Sequence, residues 1–289
     1  MPIFTAHGAT VHYAEAGNDQ AGPPVVLIHS GSNSASQWDR VAERLGERFR
    51  VLAPDLYNCG GTSPWPGPGP LSFDAEARLV LALTARAGGS AHLVGHSFGG
   101  GVALRVMATA GETVRSLTLI EPPGYQLLRD TGRADLYAEF AGVRDAFLAA
   151  VGRSDHAAAW QGFIDHYHGR AGAWADLSER AQAALIERSP TQVGVYQAQD
   201  SNPTTLADIT SLGDETLVLE GEHAAAAEKG LCALIRATAA DCRSMVIAGA
   251  GHMSPLSHPE EVAAAIEAHI SARPGQPDTP SQVGDQASR

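Results

Sequence analysis

Gly95-His96-Ser97-Phe98-Gly99-Gly100 is the stretch that decides how the 289-residue chain is read. An apolar run at 92–95 leads into it, and a helical pattern at 99–110 leaves it. It therefore reads as strand, sharp turn and helix. A turn this tight forces its apex residue into a strained backbone state. Side chains at 95 and 99 would collide with neighbouring backbone, and glycine stands at both positions. The apex is Ser97, whose hydroxyl is lifted above the sheet. The N–H of Phe98 points from a helix start toward any negative charge that develops there. Ser97 is thus the candidate nucleophile, and the Phe98 amide a candidate oxyanion donor. The bland alternative is a glycine-rich turn that only tightens a strand–helix junction.

Outward from this turn, short apolar runs alternate with helical stretches, the signature of an α/β fold with a mostly parallel sheet and helices on both faces. Residues 2–6 and 10–15 read as an antiparallel hairpin around His7-Gly8-Ala9. Strands are expected at 25–29, 49–53, 92–95, 117–120, 216–220 and 244–248. Helices are expected at 38–47, 71–87 (with Ser72 as N-cap), 99–110, about 224–240 and about 259–271. From 124 to 208 no strand pattern is present. That segment holds 9 of the chain's 17 aromatic residues, which marks it as an inserted helical subdomain. Residues 1–123 and 209–272 then form the core domain. Residues 273–289, with three prolines and few apolar side chains, read as a disordered tail.

Composition excludes several classes. Twenty Lys and Arg against 32 Asp and Glu give a net charge of −12, which argues against a nucleic-acid partner or an anionic membrane surface. No apolar run approaches the ~20 residues of a membrane span, and the first residues carry no secretory signal pattern. Three cysteines, Cys59, Cys232 and Cys242, make no disulfide framework, so a reducing cytoplasm is the default location. No metal-ligand spacing is present, and Pro66-Gly67-Pro68-Gly69-Pro70 lacks the lysine of a phosphate loop. No cofactor is expected.

A serine hydroxyl needs a base. Among 12 histidines, His252 in Gly249-Ala250-Gly251-His252-Met253 follows the last strand and precedes the last helix. That placement brings it to the sheet edge where Ser97 stands. His29 is expected to hydrogen-bond backbone at the end of its strand. His156, His166 and His168 are expected on the surface of the insert.

Together these features resemble the α/β-hydrolase fold superfamily over about residues 2–272. The resemblance rests on the 95–99 turn, His29-Ser30-Gly31 with Trp38 behind it, Ala53-Pro54-Asp55-Leu56 with Gly60-Gly61-Thr62-Ser63, and the late Gly-Ala-Gly-His. It implies an α/β-hydrolase sheet with the insert as a helical cap. It implies Gly31 N–H as second oxyanion donor, with Ser32 as fallback, and a structural Asp55. The usual acid position after the cap is filled by Ala224 in Gly221-Glu222-His223-Ala224. Some members carry the acid after the strand that follows the elbow helix, and here that strand ends in Glu121, 24 residues beyond Ser97. Glu121 is therefore the expected acid and Glu222 the runner-up. The implied activity is a serine hydrolase acting on a carboxylic ester or related acyl bond of a small, partly apolar substrate. C–C bond hydrolases, lactonases, thioesterases, and lyases or acyltransferases share such a site. A non-catalytic receptor on the same fold is the alternative from another class. Dehalogenases and epoxide hydrolases use aspartate at the elbow and are disfavoured.

Overall fold

The computed structural model describes residues 1–17, 22–239 and 241–272, and the expected tail at 273–289 lies outside the described residues. Eight strands form one sheet: β1 (Ile3–Ala6), β2 (Ala9–Ala16), β3 (Val25–Ile28), β4 (Val51–Pro54), β5 (Ala91–His96), β6 (Val114–Ile120), β7 (Thr216–Gly221) and β8 (Arg243–Ile247). Their order is β1-β2-β4-β3-β5-β6-β7-β8. The pairs β1/β2 and β2/β4 are antiparallel, and every other pair is parallel. The four residues of β3, Val-Val-Leu-Ile, are all fully buried, as a central strand covered on both faces requires.

The α-helices among the described residues are α1 (Asp39–Gly46), α2 (Phe73–Arg86), α3 (Phe98–Ala110), α4 (Tyr125–Asp130), α5 (Ala134–Gly152), α6 (His156–Tyr167), α7 (Glu179–Glu187), α8 (Ser189–Asp200), α9 (Leu206–Thr210), α10 (Ala226–Thr238), α11 (Ser254–Ser257) and α12 (Pro259–Ser271). Two apolar clusters cover the two faces of the sheet. Phe73, Val80 and Leu83 of α2, Val102 and Val106 of α3, and Cys232 and Ile235 of α10 pack on one face. Val41 and Leu45 of α1, with Val262 and Ile266 of α12, pack on the other. Ser72 caps α2 by accepting from Ala75 N–H at 3.3 Å.

The helix expected at 38–47 begins earlier, with a 3₁₀ turn over Ala35–Trp38 leading into α1. The cause is a carboxylate from far along the chain: Asp55 accepts Ala35 N–H at 2.7 Å and holds the first turn as a cap would. Between β6 and β7 lie α4 to α9. Phe140, Phe147, Trp160 and Tyr196 from these helices form a third cluster, which rests on Ala227 and Leu231 of α10. No helix among the described residues is long and apolar enough to cross a membrane.

Candidate active site

Ser97 sits between β5 and α3 with φ 50° and ψ −123°, a strained conformation costing roughly 1–3 kcal/mol. The glycines on either side explain themselves. A Cβ on Gly95 would stand 2.3 Å from Gly99 O, and one on Gly99 would stand 2.3 Å from Ile28 O. The turn is held by Ser97 N–H donating to Ile120 O at 2.8 Å and by Gly100 N–H donating to Ser97 O at 2.7 Å. Phe98 is the first residue of α3, where an amide has no intrahelical acceptor.

His252 is 4% exposed, and its Nδ1–H donates to Glu121 Oε2 at 2.6 Å. With Nδ1 protonated, the neutral imidazole presents a lone pair at Nε2. Glu121 follows β6 with φ 44°, a second strained non-glycine residue at this edge. Its other oxygen accepts Gly221 N–H from the end of β7 at 2.7 Å. Burial disfavours the charged form of His252, but the hydrogen bond and charge of Glu121 outweigh it, and Glu228 adds to them. The imidazole pKa is raised above its ordinary 6.5. Glu222 is exposed and turned elsewhere, accepting Gly249 N–H at 2.8 Å. The carboxylate in contact with His252 is therefore that of Glu121.

Gly31, Ser97, Phe98 and His252 line one cavity of about 550 Å³. Ser32, at φ 55°, also lines it. His29 closes the loop from behind. Its Nδ1–H donates to Ser30 O at 2.7 Å, and its Nε2 accepts Leu56 N–H at 3.0 Å. Burial holds this ring neutral, with its pKa lowered to about 4. Asp55 bridges Ala35 N–H and Gly61 N–H and touches neither Ser97 nor His252, a structural placement.

Two residues with no such role in the sequence reading tie the site together. Gln37 Oε1 accepts Ser30 N–H at 3.1 Å, Ser30 Oγ–H at 2.6 Å and Asn33 Nδ2–H at 3.1 Å. Gln37 Nε2–H donates to His96 Nδ1 at 3.1 Å, and His96 Nε2–H donates to the backbone carbonyl of His252 at 2.8 Å. Gln37 and His96 are both buried. One chain of side chains thus joins the loop of Gly31, the elbow and the loop of His252. Burial, first of all, keeps His96 well below its ordinary pKa, as this tautomer requires.

Opposite these groups the cavity is walled by Trp160, Phe163 and Ile164 of α6 and by Leu177 and Leu185. The Tyr167 ring lies 4.6 Å from that of His252, tilted by 34°. His168 is exposed, as expected, and also lines the cavity. Tyr167 was legible only as one aromatic among nine in the insert. Its placement depends on how α6 docks, which no local pattern encodes. Among the described residues no group of three or more His, Cys, Asp or Glu side chains could hold a metal ion.

The family model described as "Alpha/beta hydrolase family" matches residues 25–265. Lipase LipV of Mycobacterium tuberculosis is 30% identical over 273 residues, covering 88% of this chain and 95% of that protein. N-formylmaleamate deformylase of Pseudomonas putida is 34% identical over 122 residues, covering 41% of this chain and 44% of that protein. Among solved structures, a thermophilic esterase from Thermogutta terrifontis superposes with a TM-score of 0.73 at 21% identity, covering 93% of this chain and 96% of that one. At that identity the likeness speaks for the fold alone.

Proposed function

This chain belongs to the alpha/beta hydrolase family, and from that premise we propose that it is a serine hydrolase cleaving a carboxylic ester or related acyl bond through an acyl-enzyme. The observation that carries this reading is the 2.6 Å contact of Glu121 with His252, whose imidazole shares a cavity with Ser97. Ser97 Oγ attacks the acyl carbon while His252 Nε2 takes its proton. The negative charge that forms on the carbonyl oxygen is held by the N–H groups of Gly31 and Phe98. One such donor is worth ~3–4 kcal/mol of barrier. Collapse expels the alcohol, which takes the proton from His252. Water then attacks the acyl-enzyme, again deprotonated by His252, and releases the acid and Ser97. Glu121 keeps the imidazole in the Nδ1–H tautomer and stabilises its charged form.

Residues 124–208 act as the cap over this site, and their apolar walls receive a partly apolar substrate. No step calls for a cofactor. The test is a panel of 4-nitrophenyl esters, lactones and thioesters offered to wild type and Ser97→Ala. Ester turnover that disappears in the variant supports the reading. A folded wild type that turns over none of them, or a variant as active as wild type, overturns it. Product analysis with an added acceptor alcohol separates hydrolysis from acyl transfer.

A further inference from the structure

Two rings pack on the imidazole of His252, and they come from different parts of the molecule. His96, at the end of β5, lies 4.9 Å away and is tilted by 45°. Tyr167, the last residue of α6, lies 4.6 Å away and is tilted by 34°. The ring nitrogens of His96 are already engaged, by Gln37 and by the carbonyl of His252. Tyr167 has no part in the reaction steps, yet its position is closely set. His168 N–H donates to Ile164 O at 2.9 Å and Gly169 N–H to His166 O at 2.9 Å, which closes the end of α6. The Asp165 carboxylate accepts Gly172 N–H at 3.0 Å and Trp174 N–H at 2.9 Å, which pins the turn that follows. Phe163, one helical turn back, sets its ring 4.6 Å from that of Tyr167.

At that separation, rings inclined by only 34° meet face to face rather than edge to edge. An aromatic face is electron-rich and attracts a cation lying within about 6 Å of its centre. His252 becomes such a cation each time it takes a proton from Ser97 or from water. The imidazole is 4% exposed, so solvent screens the attraction little. Resting on the hydrolase reading above, we propose that Tyr167 is a positioning residue for the base, its ring fixing the imidazole plane and its face stabilising the imidazolium through which catalysis passes. The other groups facing His252 come from four elements. Glu121 at the end of β6 is bonded to Nδ1, and Glu228 of α10 accepts the Tyr125 hydroxyl at 2.7 Å. His96 is kept neutral by burial, and His168 beyond α6 is exposed. Both carboxylates favour the charged imidazole and burial opposes it, with Glu121 the stronger of the two. Tyr167 thus adds a modest contribution from the cap to chemistry that the sheet edge sets.

The experiment titrates the His252 ring by NMR in folded Ser97→Ala, its signal assigned by its loss when His252→Gln is added. No turnover is needed, so the outcome is read separately from whether the wild type hydrolyses esters. Tyr167→Phe keeps the aromatic face and is expected to leave the titration midpoint in place. Tyr167→Leu keeps an apolar wall without that face. Its midpoint is expected to fall by about 0.5–1 pH unit, because only the charged imidazole loses a partner. Pentafluorophenylalanine placed at position 167 keeps the shape of the ring but reverses the polarity of its face. The midpoint is expected to fall at least as far there, in a variant whose packing is preserved. The proposal is overturned if the fluorinated ring titrates His252 as Tyr167→Phe does, or if Tyr167→Leu leaves the midpoint at or above that of its parent. Either result would reduce Tyr167 to a wall of the cavity.

Discussion

The sheet edge and the helices over it are built by different means. At the edge, Ser32, Ser97 and Glu121 all have positive φ, between 44° and 55°, and Ser97 and Glu121 are fixed by backbone hydrogen bonds. Over it, α5 to α8 are held by ring contacts such as Phe147 against Trp160 at 5.3 Å and Tyr196 at 5.6 Å. Strained backbone persists only where surroundings over-determine it, and that rigidity suits groups that must hold an angle to a reacting atom. Apolar packing tolerates adjustment and suits the choice of what enters. On the proposed function this is a division of labour, with chemistry set by the sheet edge and selection by the helices.

The sharpest way to break this division is to exchange carboxylates. Glu121→Gln should lower kcat by about 10³–10⁴-fold, because the imidazole loses its fixed tautomer. Glu222→Ala, at an exposed carboxylate bound to Gly249, should stay within about 3-fold of wild type. The reverse pattern in steady-state ester kinetics would move the acid to residue 222. Next in size comes the chain of side chains beneath the site. Gln37→Leu removes its centre and should lower kcat by about 10²-fold, with KM changed far less, since misplacement by an ångström costs that much. Its melting temperature should fall too, as several buried partners lose their hydrogen bonds.

How far each part could be read from sequence follows the same division. The strands and the glycine-flanked turn were legible because periodicity and close spacing are local signals. Strand ends shifted by a few residues, and the helix expected at 38–47 started early because Asp55, at the end of β4, caps it. Glu121 could be named only as the residue leaving a strand, since its partner His252 lies 131 positions away. Gln37 and His96 had no signal at all. Their roles come from contacts spanning 59 and 156 residues. Gln192, buried at the cavity wall, was hidden for another reason. A polar helix stripe reads as solvated surface until the fold turns it inward.

In the helices, Phe147→Ala should cost about 3–5 kcal/mol of stability, because a fully buried ring leaves a cavity. Urea unfolding measures that loss, and a kcat loss matching that of Glu121→Gln would erase the proposed contrast. The smallest expected effect is in pH dependence. His252 must be neutral to accept a proton, and its pKa is raised by Glu121 and Glu228 against the opposing effect of burial. The acid limb of kcat/KM should therefore bend above pH 6.5, with activity falling as pH drops through the raised value. A limb below 6.5 would mean that Glu121 does not act on the working base.

The most direct measurement of the central claim is intact-mass labelling with a fluorophosphonate, which reacts with an activated serine hydroxyl. One adduct is expected, mapped to Ser97, lost in Ser97→Ala and slowed in Glu121→Gln. Labelling that persists at the same rate in folded Ser97→Ala, or a folded wild type that takes up no probe, would contradict the account.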